Sequence, residues 1–154
     1  MLRAARQQEQ AVSAKKTWNV VVFSLGGMKL AARAEDVGGV APWIEPVPVP
    51  SRTPFVGAML KRGTGVMPVY DLAARLRQVP EGDELLCLVA RHMDGPMAIC
   101  IDSMIPSIHN IEISRIVPSK QTDLETLGSF NDEEQEIDIV AFQNLGRSRQ
   151  QDGM

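Results

Sequence analysis

Cysteine is nearly absent, with Cys87 and Cys100 the only two in a chain of 154 residues. Two thiols cannot build the disulfide framework on which small secreted domains depend, and a reducing compartment leaves both as buried thiols. Charge of one sign is also lacking. The net charge is −3, and the lysines and arginines are scattered, so no basic stripe meets the needs of a phosphate backbone and nucleic acid is not an expected partner. No apolar run approaches the ~20 residues that cross a bilayer. Met1 to Lys16 lacks the central apolar stretch of a secretory signal, and this segment, rich in Arg, Gln and Ala, reads as a solvated tail in preference to a transit peptide. The expectation is a cytoplasmic protein without direct membrane insertion.

Motifs of catalysis are missing as well. No Gly-x-Ser-x-Gly elbow, Walker loop, dinucleotide glycine pattern or His-Glu-x-x-His occurs, so neither a nucleophile nor a phosphate cradle is signalled. Cys87, His92, Cys100 and His109 have four, seven and eight residues between them, which is not the paired spacing of structural zinc sites. With Asp94-Gly95 as a two-residue loop, Cys87 would face Asp102 and Cys100 would face Val89, leaving the cysteines diagonal neighbours whose plainest role is core packing. Asp71, Asp102 and His109 are the available material for acid–base chemistry, the basis of a reading as a small β-barrel enzyme, yet they form no recognisable constellation. Asp71 is placed to cap a helix and Asp102 to end a strand. No catalytic residue, cofactor or metal is expected.

What is present is a succession of short β-rich runs. Asn19 to Leu25 reads NVVVFSL, and Gly26-Gly27 supplies the positive φ of a tight turn, so Met28 to Arg33 returns as the second arm of a hairpin. Five prolines lie between Pro42 and Pro54, and each removes a backbone donor, which predicts a stiff loop or an edge. Val66 to Tyr70 predicts a strand, followed by a helix of about two turns over Leu72 to Arg77 under the Asp71 cap. Leu85 to Arg91 and Met97 to Asp102 flank Met93-Asp94-Gly95-Pro96 as a second hairpin. Ile105 to Ile113 alternates as a weak strand with an edge position favoured by Pro106. Thr122-x-x-Glu125 has the form of a capping box with Gly128 as a helix stop, and Ile137 to Phe142 is the last strand. Many short strands with few helices predict a mainly β barrel or sandwich.

The stretch PVPVPSRTPFVGAMLKRGTGVMPVYDLAARL resembles the central signature of CheW-like domains. There a Pro-Phe pair and a Gly lead to Arg-Gly and then to Val, Pro and Asp-Leu, and here Pro54, Phe55, Gly57, Arg62, Gly63, Val66, Pro68, Asp71 and Leu72 carry that order. The opening VVFSLGG, Val37 after the first hairpin, and AICID near residue 100 agree in order. The resemblance implies two packed SH3-like β-barrel subdomains with a few short helices, spanning 18–146 between a tail at 1–17 and another at 147–154. It further implies a non-enzymatic adaptor of bacterial chemotaxis-type signal transduction, whose partners are the regulatory domain of a CheA-type histidine kinase and the cytoplasmic tip of a chemoreceptor. Scaffolds of type IV pilus, gliding or polar localisation complexes are the alternative within the same family. Val37, Arg62 and Ala98 match positions that imply protein binding, Val37 and Ala98 beside a groove and Arg62 beside a turn. The sequence departs from the family pattern at Leu60-Lys61, Ala73 and Ala141, where Asn-Leu, Arg and Asp are usual, which suggests a divergent paralogue.

Overall fold

A computed structural model describes residues 16–146. The expected tails at 1–17 and 147–154 lie outside the described residues apart from Lys16 and Thr17, and Thr17 already belongs to the first strand. In chain order the strands are β1 (Thr17–Leu25), β2 (Met28–Arg33), β3 (Val37–Pro42), β4 (Val47–Pro48), β5 (Val56–Arg62) and β6 (Gly65–Tyr70). A single-turn helix α1 (Leu72–Arg75) precedes β7 (Leu86–His92), β8 (Gly95–Ile101), β9 (Ser107–Glu112), β10 (Thr126–Asp132) and β11 (Gln135–Val140). Two sheets result, one in the order β10-β11-β2-β1-β9 and the other in the order β3-β7-β8-β6-β5-β4. The protein is mainly β, and its two curled sheets form two small SH3-like barrels.

The period of two along each strand divides the apolar residues among three cores. Val20 and Val22 point into the first barrel with Ala31, Ile111, Phe130, Ile137 and Ile139. Phe23 and Leu25 face the opposite way, into a core shared with Leu88, Ala90, Met97, Ile99 and Ile101 of the second sheet. Leu60, Val69, Cys87 and Ala98 fill the second barrel. A strand buried on both faces cannot alternate apolar and polar residues, which explains the apolar run VVVF of β1, followed by the buried Ser24 and Leu25. In the shared core the rings of Phe23 and Phe142 lie 5.9 Å apart.

The connections between the barrels are polar and specific. Gly26 and Gly27 form the β1–β2 turn at φ +62 and +81, and their N–H groups donate to the two carboxylate oxygens of Asp102 at 2.8 and 2.9 Å. The Glu81 N–H donates to the same side chain at 2.8 Å, and the Asp102 N–H donates to Ser24 O at 3.0 Å. One buried aspartate at the end of β8 thus ties the second sheet to the first hairpin.

Three expectations are corrected. The helix after Asp71 makes one turn, because Arg77 adopts φ +58 and the N–H groups of Arg77 and Gln78 close onto Ala74 O and Ala73 O at 3.1 and 2.8 Å; this pairing stops a helix. The cap itself forms as expected, the Ala74 N–H donating to Asp71 at 3.0 Å. No helix follows Thr122. The Glu125 side chain instead accepts from Asn144, its carbonyl accepts from the Ala141 N–H, and the chain enters β10. Gly128, expected to stop that helix, sits at a β-bulge with φ +139, where a Cβ would lie 2.6 Å from Ile116 and 2.9 Å from Val117 O. A glycine here allows a passing segment to approach, and the Val117–Ser129 bridge follows.

The third correction concerns register. His92 pairs with Gly95, so the two loop residues are Met93 and Asp94, with Gly95 inside β8. The His92 ring holds this loop by accepting the Asp94 N–H at 3.0 Å. Cys87 therefore lies directly opposite Cys100, not diagonal to it.

Candidate protein-binding surface

Arg62 ends β5 where the chain turns through Gly63 at φ +59 into β6. It is exposed, and its guanidinium donates to Pro42 O at 3.4 Å. That bond links the end of β3, one edge of the second sheet, back to the β5–β6 turn, so Arg62 helps close the barrel while presenting its charge to solvent. Val37 opens β3 half-buried and packs against the shared core. Ala98 has no exposed surface and belongs to the inner core of the second barrel, opposite Val89 on β7. The three residues do not converge: Val37 and Ala98 look to different cores, and Arg62 lies at the far end of β3. With no exposure, the Ala98 side chain reaches a partner only through the packing it sets.

The departures from the family pattern fall mostly inside. Leu60, Ala73 and Ala141 are all buried, and of the four positions only Lys61 is exposed. Three of these four departures are therefore changes of packing.

Exposed apolar side chains mark both sheets. Ile105 and Ile108, at and beside the edge strand β9, are 81% and 72% exposed, with Met104 next to them. On the second sheet Val40, Val47 and Val66 are exposed along β3, β4 and β6, with Ile44 in the connection after β3. Sequence reading placed β9 at an edge but gave no site to Ile105 or Ile108; the signal available was isoleucine on a strand already weakened by Pro106.

The motif aromatics have a structural role. Phe55 stands at φ +62, its carbonyl accepting the Asp71 N–H at 2.7 Å. Its ring lies 6.2 Å from that of Tyr70, and the Arg75 guanidinium sits 5.4 Å from the ring centre. Burial holds the Tyr70 hydroxyl above its ordinary range, opposed by Arg75 and aided by Asp71.

The ionisable groups singled out in the sequence are dispersed. His92 bonds to Leu145 O at 2.8 Å and His109 to Ser107 at 2.8 Å on the other sheet. Among the described residues no three His, Cys, Asp or Glu side chains converge as metal ligands. Burial pushes the Cys87 thiol up, with Arg62 pulling it partly back. Burial, then Cys87, Asp71 and Asp102, push Cys100 up to about 12 from its ordinary 9.0. At pH 8 its thiolate fraction is then roughly a thousandfold below that of an ordinary thiol. Iodoacetamide is expected to label folded protein at Cys100 far more slowly than guanidinium-unfolded protein, and equal rates would contradict the raised proton affinity of this thiol. The folded state holds this proton more tightly than the unfolded state. The stability this group contributes is therefore fully present below pH 9 and is lost as pH rises from 9 towards about 12.

A sequence profile of the CheW-like domain matches residues 19–143, so the chain belongs to the CheW-like family. That membership places it among the adaptor and scaffold domains of chemotaxis-type signalling. The scaffolding protein CheW of Thermoanaerobacter tengcongensis has a similar solved structure, with a TM-score of 0.70 at 18% identity, covering 86% of this chain and 97% of that one. No curated protein matches the chain by sequence. Among the described residues no helix is long and apolar enough to cross a membrane.

Proposed function

We propose that this chain is a non-catalytic cytoplasmic adaptor that couples a chemoreceptor tip to the regulatory domain of a CheA-type histidine kinase. The observation that carries the reading is the presence of exposed apolar residues on each of two barrels joined through a shared core. Such an arrangement suits a protein whose output is two affinities and the geometry between them.

Arg62 and Val37 lie on the second barrel, and Ile105 and Ile108 on the first. Titration calorimetry with the regulatory domain of a CheA-type kinase from the same genome, and separately with a receptor tip fragment, tests the assignment. Wild-type protein is expected to bind each partner 1:1. Arg62→Glu and Ile108→Glu are each expected to weaken one partner by roughly tenfold or more while sparing the other, the effect of losing one interface residue of middling importance. Loss of both partners by either variant would remove the two-surface reading. Absence of kinase binding by the wild type would reject the coupling role and move the assignment to a scaffold of another assembly.

A further inference from the structure

The β7–β8 hairpin places the chain's two cysteines in one cross-strand pair. His92 and Gly95 flank a two-residue loop and so form a hydrogen-bonded pair, and pairs then alternate along an antiparallel ladder. Ala90–Met97, Leu88–Ile99 and Leu86–Ile101 are hydrogen-bonded pairs on this count, and Arg91–Pro96, Val89–Ala98 and Cys87–Cys100 are not. Pro96 fixes the parity independently, because a residue without an N–H cannot make the double exchange of a hydrogen-bonded pair. Non-hydrogen-bonded partners approach most closely, with Cα atoms roughly 4.5 Å apart, at the lower end of the range a disulfide spans. Both side chains point to the same face of the sheet, the interior of the second barrel, where Cys87 is buried and Cys100 is partly exposed. Each lies near enough for Cys87 to perturb the ionisation of Cys100.

We propose that Cys87 and Cys100 are a reversible thiol–disulfide modification site, closed by exchange with a low-molecular-weight disulfide. Cys100, the accessible partner, loses its proton and attacks one sulfur of the oxidant, whose other sulfur leaves as a thiolate and takes up a proton. Cys87 then loses its proton and attacks the Cys100 sulfur. The bond between the two cysteines forms, the mixed disulfide breaks, and a second small thiol departs with a proton. Two protein thiols are oxidised and one external disulfide is reduced to two thiols. The high proton affinity of Cys100 makes the native reaction slow at neutral pH. Its rate is expected to rise about tenfold per pH unit from 7.5 to 8.5, as the thiolate fraction does well below the pKa. Closing the bond also draws the two Cβ atoms nearer than a relaxed strand pair holds them, which keeps the disulfide readily reducible.

The test is equilibration of the full chain for hours in glutathione buffers of increasing oxidising poise, followed by acid quench, intact mass and a non-reducing peptide map. The expected product has lost two hydrogens, joins the peptides of Cys87 and Cys100, remains monomeric, retains its near-ultraviolet circular dichroism, and reverts in reduced glutathione. Cys87→Ser is expected to stop at the mixed disulfide on Cys100. Two unmodified thiols at every poise, persistent mixed disulfides, intermolecular bonds, or a bond formed only after the near-ultraviolet spectrum is lost would each overturn the proposal. The wild-type map decides the matter even where the serine variant fails to fold, and none of these outcomes bears on which partner the adaptor binds.

Discussion

Replacing Asp102 with alanine is expected to lower folding stability by about 3–5 kcal/mol, because three backbone N–H groups lose a charged acceptor at once. Gly26, Gly27 and Glu81 donate to this carboxylate at 2.8–2.9 Å, and the side chain is only 4% exposed, so water does not replace it without opening the junction between the barrels. The loss is a large share of the ~5–15 kcal/mol that keeps an ordinary domain folded. Asp71→Ala provides the comparison within the same molecule. That carboxylate is exposed and serves a single helix N–H, so its removal is expected to cost about 1 kcal/mol. Urea unfolding of the two variants side by side reads the difference, and similar midpoints would show that Asp102 is not the tie between the barrels.

This junction was only half legible in the sequence. Gly26-Gly27 announced a tight turn because few other residues accept two successive positive φ values, and AICID announced a strand ending in an aspartate. Nothing local says that the aspartate reaches across 75 residues to that particular turn. The same division holds elsewhere. The first and second hairpins and the Asp71 cap are encoded by neighbouring residues and were readable. Two misreadings had tertiary causes. Thr122-x-x-Glu125 looks like a capping box until Asn144 and the Ala141 N–H engage Glu125, and Gly128 looks like a stop until Ile116 and Val117 are seen to pack where its Cβ would be.

The register of β7 and β8 shows how small a local error can matter. Asp-Gly is a favoured loop pair, but here Met93-Asp94 turns and Gly95 joins the ladder at φ +123. The one-residue shift in the loop changes every partner along the hairpin, and it converts two diagonal cysteines into a facing pair. Among the candidate contact residues, Arg62 is singled out by its motif and is exposed. Ile105 and Ile108 were invisible as surface residues, because an isoleucine on a strand normally predicts burial.

Ala98→Glu is expected to unfold the second barrel, with a loss of more than about 4 kcal/mol from overpacking and burial of a carboxylate together. Ala98 has no exposure, and Leu60, Val69 and Cys87 already fill the space around it. A longer acidic side chain has no route to solvent that leaves β7, β8 and β6 paired, since Ala98 bridges Val89 on one side and Val69 on the other. Val37→Glu behaves differently. Val37 starts an edge strand and is half-buried, so the new carboxylate turns outward at a cost of about 1–2 kcal/mol. In a binding assay both variants would lose affinity, and only their stabilities separate a broken barrel from a broken contact. Circular dichroism with urea titration, run on the same samples as the calorimetry, is expected to show Ala98→Glu unfolded or nearly so and Val37→Glu folded with a modestly lower midpoint. A folded Ala98→Glu protein that fails to bind would restore Ala98 as a surface residue and require the second barrel to open in solution.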